Sequence, residues 1–117
     1  MADFTDRRSI WIGINPIVVE ELGNVEVKGY KSILEIKNAL VIKNESLTDL
    51  KKYGENISNI IKCQINARKD IAIEDVKEFW LNKPKKVDNM YIDPEYKVTD
   101  YYKYKLFYYF DGEKLNV

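Results

Sequence analysis

The stretch Ile61-Lys62-Cys63-Gln64-Ile65-Asn66-Ala67 decides the fold class of this chain. Apolar and polar side chains alternate along it, and a period of two predicts a β-strand with one buried face. A second alternation covers residues 101–110. If these residues form a single strand, one of its faces carries Tyr102, Tyr104, Leu106, Tyr108 and Phe110. These two segments favour a β-rich protein.

Working outward, the earlier half of the chain also predicts strands. Residues 10–14 alternate as a first strand, which Pro16 is expected to interrupt. Residues 17–20 and 25–28 flank Glu21-Leu22-Gly23-Asn24, and a hairpin is predicted because Gly23 and Asn24 tolerate positive φ. Residues 33–43 also fit strands, the last part being an apolar run.

The remaining segments predict one short helix and several turns. Ser46 and Asp49 have the spacing of a helix start, and Gly54 can end that helix after Tyr53. Residues 71–81 leave two interpretations open, a short helix or a strand, a turn and another strand. Residues 83–88 predict a loop, Asp93-Pro94 a turn, and Asp111-Gly112 a turn into a last strand over 114–117.

Together these elements predict a mainly β fold, a small single-domain β-barrel or sandwich with one short α-helix. The single domain spans residues 1–117, and residues 1–8 are expected to form a flexible N-terminus. The predicted core comprises Trp11, Ile61, Cys63, Ile65, Trp80, Tyr104 and Leu106.

Composition restricts the possible classes of function more than any motif does. The chain has no histidine and one cysteine, Cys63, which removes the commonest general base and any Cys/His nucleophile pair. Lys plus Arg equals Asp plus Glu at 19 each, and this balance lowers the expectation of a nucleic-acid-binding protein. No signal peptide or membrane-spanning apolar run is recognisable, so an intracellular protein is expected.

Two groups of residues could carry binding chemistry. Interleaved Tyr101, Lys103 and Lys105 resemble a platform for single-stranded nucleic acid, although an alternating strand with a solvated lysine face is the more ordinary interpretation. The loop 83–93 could meet phosphate or an acidic partner through its polar residues Lys83, Lys85, Lys86 and Asn89.

The acidic residues and the cysteine favour no catalytic site. The carboxylates lack the spacing of a calcium loop, so no metal or cofactor is predicted for Glu74, Asp75, Glu78, Asp88 and Asp93. Cys63 is predicted to be a core residue because it lies on the apolar face of the strand over 61–67, and no histidine is present to activate it as a nucleophile.

Three stretches resemble a known family. The first runs from Ile10-Trp11-Ile12-Gly13 to Glu21-Leu22-Gly23-Asn24, and the second joins Tyr53-Gly54 to the strand over 57–67. The third consists of Asp70-Ile71-Ala72-Ile73-Glu74-Asp75, Phe79-Trp80-Leu81 and Tyr96-Lys97-Val98. In these stretches the chain resembles the small head-closure (stopper) or head–tail connector proteins in the neck of Firmicutes phages. The Tyr/Lys-rich region after Val98 departs from the family pattern.

The resemblance implies a β-barrel subunit of a ring below the portal, a virion protein made in the host bacterial cytoplasm. It implies contact with other neck proteins, on the portal-adaptor side and on the tail side, and with DNA in the channel. It implies no catalytic residues, no cofactor and no membrane. Two further hypotheses are a small nucleic-acid-binding β-barrel that uses the Tyr/Lys strand, and, much less favoured, a small enzyme using only carboxylates and lysines.

Overall fold

A computed structural model describes residues 5–43 and 51–115 of the chain. In this part of the chain eight strands form one antiparallel sheet, which confirms the predicted mainly β fold. The strands are β1 (Thr5–Glu21), β2 (Asn24–Lys43), β3 (Ile60–Asn66), β4 (Glu78–Trp80), β5 (Lys86–Val87), β6 (Met90–Tyr91), β7 (Tyr96–Tyr104) and β8 (Phe107–Lys114). Residues 51–53 are α-helical, and two 3₁₀ helices cover Gly54–Asn59 and Ile73–Asp75.

The sheet closes on itself. Strands β1, β4, β7, β8, β3 and β2 pair in this order, and β2 pairs back to β1. Closure is the usual way in which antiparallel proteins remove unpaired strand edges. The chain therefore forms a barrel rather than a sandwich. Strands β5 and β6 lie outside it and join β2 through the pair Tyr30 and Tyr91.

The barrel interior is filled by the alternating side chains of its strands. Ile10 and Ile12 are fully buried, and Phe79 contacts Phe110 edge to face with ring centroids 5.3 Å apart. Cys63, Ile65 and Trp80 are buried, as the sequence predicts. Trp80 lies on the opposite face of β4 from Phe79, where its indole N–H donates to the Asp93 carbonyl oxygen.

Two predicted core residues are only partly buried. Trp11 alternates with Ile10 and Ile12, so its side chain lies on the other face of β1 and pairs across the sheet with Trp80. Ile61 packs against the edge of the core. The predictions for Tyr104 and Leu106 are wrong, since their side chains are 54% and 77% exposed.

The first hairpin is longer than the sequence predicts. Its turn is Leu22-Gly23, and both residues have positive φ, 52° and 82°, as a type I′ turn requires. Pro16 does not interrupt β1. Pro16 pairs with Tyr30 of β2, and no other described strand pairs with that part of β1, so it lies at a sheet edge, where proline is tolerated. β1 also begins within the predicted flexible N-terminus, because residues 5–8 pair with residues 39–42 of β2.

Residues 101–110 form a second hairpin, not the single predicted strand. The chain turns at Lys105-Leu106, with Lys105 in the left-handed region at φ 56°. This turn places Tyr102 and Tyr104 opposite Tyr109 and Phe107, and thus on the face away from buried Tyr108 and Phe110. β8 continues through Asp111 and Gly112, so the predicted turn there is wrong; residues 116–117 lie outside the described residues.

The structure of residues 71–93 decides between the interpretations that the sequence leaves open for this part of the chain. Residues 71–81 contain a 3₁₀ helix and the short strand β4, which is closer to the second interpretation than to one helix. The predicted loop 83–93 contains the hairpin β5–β6, whose turn residues Asp88 and Asn89 both have positive φ.

The helical residues 51–53 are held to the barrel by polar contacts. The Tyr53 hydroxyl donates to the Asp111 carboxylate at 2.6 Å, and Lys52 forms an ion pair with Asp100. Gly54 follows with φ 61°, the left-handed conformation expected after a helix end. The predicted helix start at Ser46 and Asp49 lies outside the described residues.

Asp100→Asn should change stability only slightly. The ammonium of Lys52 lowers the pKa of Asp100, so the ion pair stabilises the fold above the ordinary aspartate pKa of about 3.9 and is lost as pH falls through the lower folded value. Both side chains are largely exposed, so solvent screening limits the cost to about 1 kcal/mol or less at neutral pH. Urea unfolding of both proteins should show the difference vanishing in strong acid; a difference that persists there would contradict the ionic explanation.

Candidate interaction surfaces

The exposed large hydrophobic side chains of the described residues all lie on three hairpins. We call residues 17–28 at the end of β1–β2 the arm, residues 101–110 of β7–β8 the ribbon, and residues 83–91 around β5–β6 the basic hairpin. The exposed hydrophobic residues are Val18, Val19, Leu22, Val25 and Val27 on the arm, Val87 on the basic hairpin, and Tyr101, Tyr102, Tyr104 and Leu106 on the ribbon.

The arm is a two-stranded hairpin that extends beyond the closed part of the barrel. Its strands pair only with each other among the described strands. The register places Val18, Val25 and Val27 on one face. Glu20 shares this face, opposite Val25, and the other face carries Val19, Glu21 and Glu26, all exposed. One face of the arm is therefore mainly apolar with one glutamate, and the other is mainly acidic.

Leu22 at the arm tip is unusual both in its exposure and in its backbone conformation. It is 97% exposed, and it occupies a left-handed position with φ 52°. Asn, Asp or Gly is preferred at such a turn position, because a bulky side chain is strained there. A residue that is locally unfavourable in both respects is a candidate for a contact outside the subunit.

The ribbon presents an aromatic face with lysines around it. The rings of Tyr102 and Tyr109 stack with centroids 4.9 Å apart, and Lys105 lies 5.3 Å from the centre of the Tyr104 ring. The Ala67 N–H donates to the Leu106 carbonyl oxygen at 2.8 Å and fixes the turn against the end of β3. Residues 101–106 contain two lysines and no acidic residue, so this surface is apolar and basic.

The outer edge of the ribbon is also open. β4 pairs with Tyr96 and Lys97, and residues 101–104 pair only with β8 among the described strands. Unpaired backbone groups on an exposed strand can accept another strand. The ribbon thus offers side chains and an available strand edge to a partner.

The basic hairpin carries the other predicted binding residues. Lys83, Lys85, Lys86 and Asn89 are all exposed, and the Lys86 ammonium lies 5.7 Å from the Tyr91 ring centre. Asn89 has φ 64° and belongs to the turn, which gives it a conformational role whether or not it meets a partner.

The structure divides the predicted site residues between two surfaces. Tyr101, Lys103 and Lys105 are exposed on the ribbon, whose strands lie between β4 and β3 in the sheet. The basic hairpin pairs with β2, which lies on the other side of β3. The sequence reasoning missed the arm as a surface. The sequence feature that could have predicted this surface was Leu22, an apolar residue within the turn that Gly23 predicts.

A cavity of 710 Å³ lies at the base of the arm. Its wall includes Tyr30, which lies flat below β1 because Gly13 leaves room for its ring. The Tyr30 hydroxyl donates to Glu78, and burial, reinforced by this bond, raises the pKa of Tyr30. Tyr30 therefore stays protonated and joins the arm base to β4 as a hydrogen-bond donor.

The structure also shows how the acidic side chains are arranged and what surrounds Cys63. Among them, no three Cys, Asp or Glu side chains are grouped to hold a metal ion. Burial raises the pKa of the Cys63 thiol, so it packs as an apolar core group. Within the same part of the chain no helix is long and apolar enough to cross a membrane.

Comparison with protein-family models, with curated proteins and with solved structures finds no match to this chain. The three hairpin surfaces and the sequence patterns are therefore the basis for a functional proposal.

Proposed function

We propose that this protein is a structural component of a bacteriophage neck, a head-closure or head–tail connector subunit that acts by ring assembly and protein contact. The observation that carries the proposal is the concentration of exposed apolar side chains on three hairpins of a closed barrel. Grouped exposed apolar residues are typical of protein interaction sites.

The character of these surfaces supports contact with macromolecules. Tyrosine is enriched at protein interfaces, because it contributes a large apolar area and a hydroxyl with few rotatable bonds. Four tyrosines of the ribbon, Tyr101, Tyr102, Tyr104 and Tyr109, are exposed or half-buried. In the assembled neck the arm and the ribbon would contact other subunits, and the lysines of the basic hairpin would face channel DNA or an acidic rim of a neighbouring neck protein.

The first test is the neighbourhood of the gene and the contents of the particle. We expect portal, capsid and tail genes to flank it, and mass spectrometry to detect the protein in purified virions. Inactivating the gene should give heads that leak DNA or lack tails. Normal yield of infectious particles without the protein would refute the proposed function.

Charge reversal of the basic hairpin tests its role within that function. The variant Lys83→Glu, Lys85→Glu, Lys86→Glu keeps the β5–β6 turn intact, which a deletion through β5 would not. Supplied in place of the wild type, it should fold normally and lower infectious yield by roughly tenfold or more, as loss of a charged contact can. The control is Lys31→Glu, Lys37→Glu, Lys51→Glu, three exposed lysines outside the three hairpins. Equal yields from the two variants would exclude a specific role for the basic hairpin.

The ribbon also favours a second candidate, a single-stranded nucleic-acid-binding barrel. Stacked Tyr102 and Tyr109 beside Lys103 and Lys105 offer the aromatic and cationic groups that such binding uses. Fluorescence anisotropy with a single-stranded oligonucleotide distinguishes the two candidates. Tight binding with a steep loss in salt would favour the nucleic-acid function, because binding of lysines to phosphates releases counterions.

A further inference from the structure

We propose that the arm of one copy of this protein docks on the ribbon of a second copy, so that subunits join head to tail. The inference deepens the proposed function, whose ring assembly requires a contact between copies. It rests on the charges, faces and tip residues of two surfaces at different places on the same subunit.

Charge favours this pairing over a symmetric one. The arm contains exposed Glu20, Glu21 and Glu26 and one lysine, Lys28, whereas residues 101–106 of the ribbon contain only lysines among their charged residues. Two arms facing each other would bring like charges together, and two ribbons would do the same. Complementary charge steers encounter and fixes orientation, and like charge at an interface is costly.

The apolar faces are complementary in chemistry as well. The arm offers Val18, Val25 and Val27 on one face, and the ribbon offers Tyr102 and Tyr104 on its outer face. Pairs of aromatic and β-branched side chains are among the favourable contacts between strands. In the contact, these faces pack together, and Glu20, which lies on the valine face of the arm, approaches Lys105 at the ribbon tip.

Both hairpin tips carry the same departure from local preference. Leu22 on the arm and Lys105 on the ribbon have left-handed φ values of 52° and 56°, and Leu106 beside Lys105 is 77% exposed. Asn would relieve the strain at either left-handed position. Keeping Leu and Lys there is unfavourable for the isolated subunit but useful if these side chains form the contact.

A head-to-tail contact uses different surfaces on the two partners, so a pair of subunits keeps one free arm and one free ribbon. Such contacts propagate and close into rings when the rotation between subunits allows it. The same contact between all copies would generate the ring that the proposed function needs.

Sedimentation velocity of the full chain over a concentration series tests the inference. The arm variant is Leu22→Asn with Val25→Thr, and the ribbon variant is Lys105→Asn with Leu106→Ser. The wild type should associate beyond the dimer, with association weakened by salt. Each variant alone should lose association by roughly tenfold or more. A 1:1 mixture of the two should form dimers that grow no further, because it retains one intact arm and one intact ribbon per pair.

Thermal unfolding separates loss of contact from loss of fold. At low concentration Leu22→Asn alone should melt no lower than the wild type, since it removes strain from the turn. The inference is overturned if the wild type stays monomeric at every concentration, if either variant still associates like the wild type, or if the mixture stays monomeric. A ribbon that binds single-stranded DNA while the wild type stays monomeric also overturns it. The proposed function is judged separately, by particle yield without the gene.

Discussion

Replacing Phe79 by alanine should lower the free energy of unfolding by about 3–5 kcal/mol, the usual cost of removing a large buried aromatic side chain. Phe79 is fully buried, stacks on Tyr96 at 5.3 Å and meets Phe110 edge to face. It therefore joins β4 to both β7 and β8 inside the barrel. No smaller side chain at this position could keep those contacts, and urea unfolding measures the loss.

Leu106→Ala is the matched control for Phe79→Ala. Leu106 lies in a turn and is 77% exposed, so its replacement should change stability by no more than about 0.5 kcal/mol. The sequence alone predicts the opposite order, because it places Leu106 in the core and does not single out Phe79. A larger loss from Leu106→Ala than from Phe79→Ala would contradict the structure.

The strands with strong local patterns were predictable, and the reason is physical. Residues 61–67 alternate in polarity, and β3 covers Ile60–Asn66, because only one face of the strand meets the barrel core. The turn at Leu22-Gly23 was predictable from Gly23, which adopts positive φ without strain. Where a local preference and the tertiary environment agree, the sequence carries the information.

The ribbon shows where local patterns fail. Lys105-Leu106 contains no turn-forming residue, yet the chain turns there, with the Leu106 carbonyl bound by Ala67. Because the turn has two residues, even-numbered residues of β7 share a face with odd-numbered residues of β8. Tyr104 therefore lies on the surface and not in the core, where a single strand would place it. The turn depends on contacts distant in sequence, and no alternation within residues 101–110 could reveal it.

The candidate surfaces were predictable only in part for a similar reason. Exposed lysines such as Lys85 and Lys103 follow from charge alone, so their exposure was expected. The exposure of Val25 and Val27 depends on how far β1 and β2 extend past the strands beside them, which is a property of the whole sheet. An alternating apolar strand predicts a covered face but does not say whether the cover lies within the subunit or on a partner.

The core and the hairpins should therefore respond differently to substitution. A change at Phe79 acts on stability, because its contacts lie inside one subunit. Under the proposed contact, a change at Leu22 should act on assembly and leave stability unchanged or improved, because its side chain contacts solvent in the isolated subunit. This separation makes the hairpins suitable for functional tests in a protein whose barrel remains folded.

Gly112→Ala should destabilise the protein, although alanine is normally preferred to glycine in a strand by roughly 0.5–1 kcal/mol. Gly112 is buried in β8, and a Cβ atom there would lie 2.4 Å from Cζ of Phe79 and 2.8 Å from its Cε1 atom. Phe79 is held between Tyr96 and Phe110, so its ring cannot move away freely. Overpacking of this kind costs about 1–3 kcal/mol and should outweigh the gain in backbone preference.

A double-mutant cycle with Phe79→Leu shows whether this contact is the cause. Leucine lacks the outer ring atoms that the new Cβ would meet, so Gly112→Ala should cost less in the Phe79→Leu protein than in the wild type. A coupling free energy of about 0.5–3 kcal/mol is expected for residues in direct contact. Additive losses in urea unfolding would mean that Gly112 is required for another reason and that Phe79 does not fill the space beside it. A positive coupling would show that glycine is needed in β8 because the aromatic ring that joins β4, β7 and β8 occupies the place of a side chain.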